Sequence, residues 1–180
     1  MELSGKKVTV VGTGISGIGA VGLLNAVGAE VVLYDGNEKL KIEDIEKKLG
    51  TYKAEIVLGE LTKELTDSSD LLVISPGVPI DSPVVKAFEA AGVPVWGEVE
   101  LAYAFDKGKV LAITGTNGKT TTTALVGQIV GAYHKDTFVV GNIGNPYTTE
   151  VLKSNKDSYT VAEISSFQLE TIHTFHPVVS

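Results

Sequence analysis

A lysine directly behind a glycine loop, with hydroxyls directly behind the lysine, is an arrangement suited to a nucleoside triphosphate, and residues 111–122, LAITGTNGKTTT, have it. An apolar run ends at Gly115, Thr116, Asn117 and Gly118, and Lys119, Thr120 and Thr121 then open a helix-like segment. A strand, a glycine loop and a helix N-terminus together present backbone N–H groups and a partial positive charge to an anion. In that cradle Lys119 would reach the β- and γ-phosphates of ATP and the Thr120 hydroxyl would reach Mg²⁺. The spacing departs from the common phosphate loop, because Ile113 stands where a glycine is usual, five residues before Gly118. The competing reading is a Gly/Thr-rich turn carrying a solvated lysine.

A Mg·ATP site also wants a carboxylate at the end of a neighbouring strand. Glu163 ends the apolar YTVA and precedes ISSFQLE, a position from which it could bind the metal or cap the next helix. A second glycine loop, Gly12-x-Gly14-x-x-Gly17, follows a strand, opens a helix and has Asp35 about twenty residues on, as a dinucleotide-binding unit would. NAD is its natural ligand on this pattern alone, and a turn needed only for helix packing is the bland alternative. SPGVP (75–79) supplies a further turn for the same sheet edge, with the Ser75 hydroxyl, the Gly77 N–H and two prolines. A hydride-transfer enzyme has no use for the ATP loop downstream. Two nucleotide sites in one chain suit a reaction in which one nucleotide supplies energy and the other is a handle on the substrate.

These loops need rigid elements behind them. Short apolar runs at 6–12, 30–35, 54–59, 70–75, 93–96, 109–114, 137–141 and 159–165 alternate with helix-like segments, which predicts strands covered on both faces and an α/β fold. Ile15, Ile18, Leu23 and Leu24 mark one helix, ending near Gly28, and Leu125, Val126, Ile129 and Val130 mark another. The segment 97–109 reads as a helix and turn joining two units. The expected organisation is a Rossmann-like domain with a parallel sheet over 1–97, then the start of a P-loop ATPase-type α/β domain over 98–180. HPVVS (176–180) reads as the beginning of one more strand, so the expectation is a truncated second domain, cut from a longer protein.

Composition narrows the chemistry further. The 180 residues contain no cysteine and three scattered histidines, which exclude disulfides, thiolate metal sites and a cysteine nucleophile. A net charge of −7 argues against a nucleic-acid-coating protein, which needs clustered Lys and Arg. No signal-peptide pattern and no run of membrane-spanning length occurs, so a cytoplasmic location is expected.

TGTNGKTTT, GNIGNP (141–146) and above all EISSFQLE (163–170), in this order behind a Rossmann-like unit with SPGVP, closely resemble the Mur ligases of bacterial cell-wall synthesis. The SSFQLE run resembles the D-glutamate-adding branch. The resemblance covers all 180 residues and implies ATP- and Mg²⁺-dependent amide-bond formation through an acyl phosphate, joining D-glutamate to UDP-N-acetylmuramoyl-L-alanine. It also implies three domains and no obligate protein partner. By position it assigns uridine binding to Gly14, Ile15, Ser16 and Asp35, with Ser75, Pro76 and Gly77 closing the pocket. ATP falls to Asn117, Gly118, Lys119, Thr120 and Thr121, and Mg²⁺ to Thr120 and Glu163, with Lys119 and Glu163 as the catalytic pair. Asn142, Gly144, Ser165 and Gln168 would face the pyrophosphate and muramoyl end, although GNIGNP read alone is equally an ordinary turn. Gly36 and Asn37 stand where some members have Thr and Arg, so an arginine stacked on uracil is not expected. The family's second-metal residues and amino-acid domain would lie beyond residue 180, and these 180 residues alone are not expected to ligate.

Overall fold

The computed structural model describes residues 2–180. The chain divides into two compact units, Met1–Glu98 and Val99–Ser180.

The first unit is a five-stranded parallel sheet in the order β3-β2-β1-β4-β5, built from β1 (Lys7–Val11), β2 (Glu30–Asp35), β3 (Glu55–Leu58), β4 (Leu71–Ile74) and β5 (Val95–Gly97). Its helices are α1 (Ile15–Ala26), α2 (Ile42–Leu49), α3 (Lys63–Ser68) and α4 (Pro83–Ala90). Register sets Val11 opposite Tyr34 and Ile74. Alternate residues point to opposite faces, and both faces are covered. Val11, Val32, Tyr34, Leu72 and Ile74 form a core with Leu65 of α3 and Val85 and Phe88 of α4. Val8, Val10, Leu33, Leu71 and Val73 take the other set of positions and are equally buried. Two-sided burial is why these strands read as continuous apolar runs. The order reverses between β1 and β4, so the loops leaving these neighbours diverge, and open α/β sheets place ligands in that crevice.

The second unit holds β6 (Lys109–Ile113), β7 (Thr137–Gly141) and β8 (Tyr159–Glu163), parallel and ordered β6-β8-β7. Val178 N–H bonds to Val110 O at 2.8 Å and Ala112 N–H to Val179 O at 2.9 Å, so Val179 makes an isolated parallel bridge to Leu111 of β6 and no further strand is formed over the expected 176–180. α6 (Lys119–Tyr133) packs on this sheet; α5 (Glu98–Tyr103), α7 (Tyr147–Glu150) and α8 (Ser166–Leu169) are short. The buried positions of α6 are Thr123 and Gly127. Leu125 and Ile129, expected from their spacing to mark the packed face, are 56% and 54% exposed. The reason is close approach: a Cβ on Gly127 would run into the Val139 side chain, so a small residue carries the contact. Among the described residues no helix is long and apolar enough to cross a membrane.

Candidate functional site

In the first unit the glycine loop is built around Asp35. The Thr13 N–H and hydroxyl both donate to Asp35 Oδ2, at 3.2 and 3.0 Å, and the Asn37 N–H donates to Oδ1 at 3.1 Å. A carboxylate has about four lone-pair sites, so Asp35 holds the loop and retains room for a ligand donor. Gly17 sits under Gly12, where any Cβ would meet the Gly12 carbonyl oxygen; this position admits only glycine. Gly14 begins α1 with no side-chain cap. Ile15 is 79% exposed, a bare apolar surface beside the loop.

Ser75 behaves differently from a simple ligand donor. Its hydroxyl donates to Val11 O at 2.9 Å, so its proton is committed to joining the two loops at the switch point and its oxygen can only accept from a ligand. Beside the loops lies a cavity of about 310 Å³, lined by Val11, Tyr34, Leu61, Val78, Ser82 and Val84 among others. The Ser82 hydroxyl is buried there without a hydrogen-bond partner. Thr13 and Ser82 were not singled out from the sequence. Thr13 lies inside the glycine motif and could have been, whereas no pattern marks Ser82.

In the second unit the strand register does the positioning. Glu163 pairs with Ile113 on one side and Gly141 on the other, so the loops after β6, β7 and β8 leave one edge together. Gly118 caps α6 in the left-handed region, at φ 79°, and no acidic residue lies in the first turn. Lys119 donates to Gly115 O at 2.7 Å across the loop, and Asn117, Thr120 and Thr121 are exposed.

Glu163 is 1% exposed. Its Oε1 accepts from Asn142 Nδ2 at 3.1 Å, and its Oε2 is buried with no hydrogen-bond partner. Helix capping does not explain it, because Ser165 caps α8 in a reciprocal box with Gln168. The Ser165 N–H and hydroxyl each lie 2.9 Å from Gln168 Oε1, and Gln168 is buried. These two residues are thus turned on each other, and Gly144 lies in the adjoining turn at φ 70°. His173 and His176 are exposed.

An open carboxylate oxygen and a threonine hydroxyl are hard donors that fit Mg²⁺. That ion is commonly held by one or two carboxylates, waters and phosphate oxygens and needs no protein cage. Among the described residues no group of three or more His, Cys, Asp or Glu could hold a metal. A buried oxygen without a partner carries an energetic penalty that a cation would remove.

Residues 6–97 match the Mur ligase MurD-like N-terminal domain, and residues 113–179 match the Mur ligase middle domain. The UDP-N-acetylmuramoylalanine–D-glutamate ligase of Lachnospira eligens is 70% identical over 180 residues, covering 100% of this chain and 40% of that protein. The ligase of the same name from Lachnoclostridium phytofermentans is 58% identical, over 100% of this chain and 40% of its own length. The chain therefore spans 40% of the length of these curated relatives. Among solved structures, a UDP-N-acetylmuramate:L-alanyl-gamma-D-glutamyl-meso-diaminopimelate ligase from Neisseria meningitides shares the fold. It superposes with a TM-score of 0.53 at 20% identity, covering 89% of this chain and 52% of that one. A pseudomurein peptide ligase type C from Methanothermus fervidus superposes at 0.50 and 25% identity, covering 89% of this chain and 33% of that one.

Proposed function

The chain belongs to the Mur ligase family, and on that premise we propose that it carries two of the working parts of a D-glutamate-adding ligase. Residues 1–97 hold the uridine end of UDP-N-acetylmuramoyl-L-alanine, and residues 98–180 carry the front of the ATPase that activates its carboxylate. The observation that carries this reading is Glu163 Oε2, a buried acceptor without a partner at the strand edge that also bears the Lys119 loop. The names of the two relatives above support the choice of D-glutamate.

In this scheme the Gly12–Gly17 loop, Ile15, Ser16 and Asp35 take the uridine and its ribose, closed by Ser75, Pro76 and Gly77. Asn117, Gly118, Lys119, Thr120 and Thr121 take the phosphates of ATP. Thr120 and Glu163 would hold Mg²⁺, which when bound would neutralise phosphate charge. A substrate carboxylate oxygen attacks the γ-phosphorus, the bond to the β–γ bridging oxygen breaks, and ADP leaves. The amine of D-glutamate then attacks the acyl carbon, the bond to the phosphate oxygen breaks, and inorganic phosphate departs with the amine proton lost to solvent. The chain's own contribution is positioning and charge. Backbone N–H groups at the start of α6 face the phosphates, and Lys119 exchanges its exposed bond to Gly115 O for phosphate oxygens. Asn142, Gly144, Ser165 and Gln168 border the path from phosphate to muramoyl group. Such a reaction, using UDP-linked substrate and ATP, belongs to the cytoplasm and needs no obligate protein partner.

An NAD-dependent oxidoreductase accounts for Gly12–Gly17 and Asp35 and leaves the Lys119 loop and Glu163 without a role. Calorimetric titration of the chain with UDP-N-acetylmuramoyl-L-alanine and, separately, NAD decides between them. Binding of the first with none of the second is expected; binding of NAD alone would overturn the proposal.

A further inference from the structure

We infer that Asn142 is a positioning residue that holds Glu163 so that one of its carboxylate oxygens stays open to the metal; the inference rests on the reading of Glu163 as the Mg²⁺-facing group. Asn142 engages Glu163 at two points. Its backbone N–H donates to Glu163 O at 3.0 Å and its side-chain Nδ2 to Glu163 Oε1 at 3.1 Å. The amide turns its NH₂ towards Glu163, whose Oε1 accepts from it. One oxygen is then anchored, and the other, Oε2, is left buried and unpaired.

The backbone is shaped for this clasp. Gly141 has φ 99°, and a Cβ there would collide with the Glu163 carbonyl oxygen, so only glycine lets β7 end flush against β8. The chain then curls back, with the Gly141 N–H bonded to Asn145 O at 3.3 Å, and this turn delivers the Asn142 amide to the carboxylate. A glutamate side chain has three rotatable torsions. Without the amide, neither oxygen of Glu163 has a partner in a buried setting, and the side chain is free to turn away from the metal. The GNIG turn is thereby given a role in holding the metal ligand, separate from any contact with the substrate, because the Asn142 NH₂ is already engaged by Glu163.

The test is a Mn²⁺ titration, read by electron paramagnetic resonance, of the chain saturated with a non-hydrolysable ATP analogue. Asn142→Ala, Asn142→Leu, which keeps the branched shape of the side chain without its donor, and Glu163→Gln are compared with the parent chain. Analogue affinity without metal is measured in parallel. Loss of an outer-shell partner of a metal ligand typically lowers metal affinity 10- to 100-fold. Both Asn142 variants are therefore expected to bind Mn²⁺ about 10- to 100-fold more weakly, with metal-free analogue affinity unchanged, and Glu163→Gln at least as weakly. If Glu163→Gln weakens Mn²⁺ binding while both Asn142 variants bind it like the parent, the positioning role is wrong and the reading of Glu163 stands. If Glu163→Gln leaves Mn²⁺ binding unchanged, the reading of Glu163 fails and the inference with it.

Discussion

Asp35, proposed to bind the uridine end of the substrate, has a structural role as well. Two of the three bonds that the Asp35 carboxylate accepts come from Thr13, its N–H and its hydroxyl. Thr13→Val removes one bond to a charged group, worth about 1.5–3 kcal/mol, and leaves the N–H in place. We expect a stability loss of about 1.5–3 kcal/mol in urea denaturation, together with weaker binding of UDP-N-acetylmuramoyl-L-alanine by calorimetry. Lys119→Met should act on the other ligand only, lowering Mg·ATP affinity about 10- to 100-fold and leaving the UDP compound unaffected; equal losses for both ligands would refute separate sites. At this scale the sequence was informative about residue type and silent about partners. Lys119 and Glu163 could be picked out because charge at a strand end or behind a glycine loop is unusual. The mutual capping of Ser165 and Gln168, and the donation of the Ser75 hydroxyl to Val11 O, depend on side-chain torsions that no spacing encodes.

Among the elements, α5 is tied to the segment that follows α8 by one carboxylate. Glu100 is fully buried and accepts from the N–H groups of His173, Thr174 and Phe175 and from the Thr174 hydroxyl. Burial pushes its carboxyl up, and these four donors outweigh that effect and hold it below the ordinary glutamate value of 4.5. Because the folded value is depressed, the stabilisation is complete above about 4.5 and is lost as the pH falls through the folded value. Glu100→Gln should therefore be less stable than the parent at pH 7, and the gap between them should narrow as the pH drops below 4.5. Thermal melting across pH 3–7 (about four values suffice) checks this, and a gap independent of pH would contradict it. The eight strands of the described residues were legible as apolar runs, because strands buried on both faces have no polar side to dilute the signal. The packed face of α6 was not, because a small glycine, invisible to a hydrophobic pattern, makes the contact that Leu125 and Ile129 were expected to make.

For the whole molecule, a net charge of −7 leaves anions to be bound by backbone N–H groups and single lysines, and the proposed sites are two glycine loops on two parallel sheets. The two ligands should stabilise the chain separately. At 100 times its Kd each contributes about 2.7 kcal/mol by mass action, so UDP-N-acetylmuramoyl-L-alanine and Mg·ATP should each raise the melting temperature, whereas NAD should leave it unchanged. The most direct test of the central claim is a ¹⁵N–¹H spectrum of the labelled chain titrated with each ligand in turn. The account predicts that UDP-N-acetylmuramoyl-L-alanine shifts the amides of Gly14–Gly17 and Gly36–Asn37, and that Mg·ATP shifts those of Gly115–Thr121 and Glu163. Shifts from both ligands confined to one loop, or NAD reproducing the shifts of the UDP compound, would contradict it.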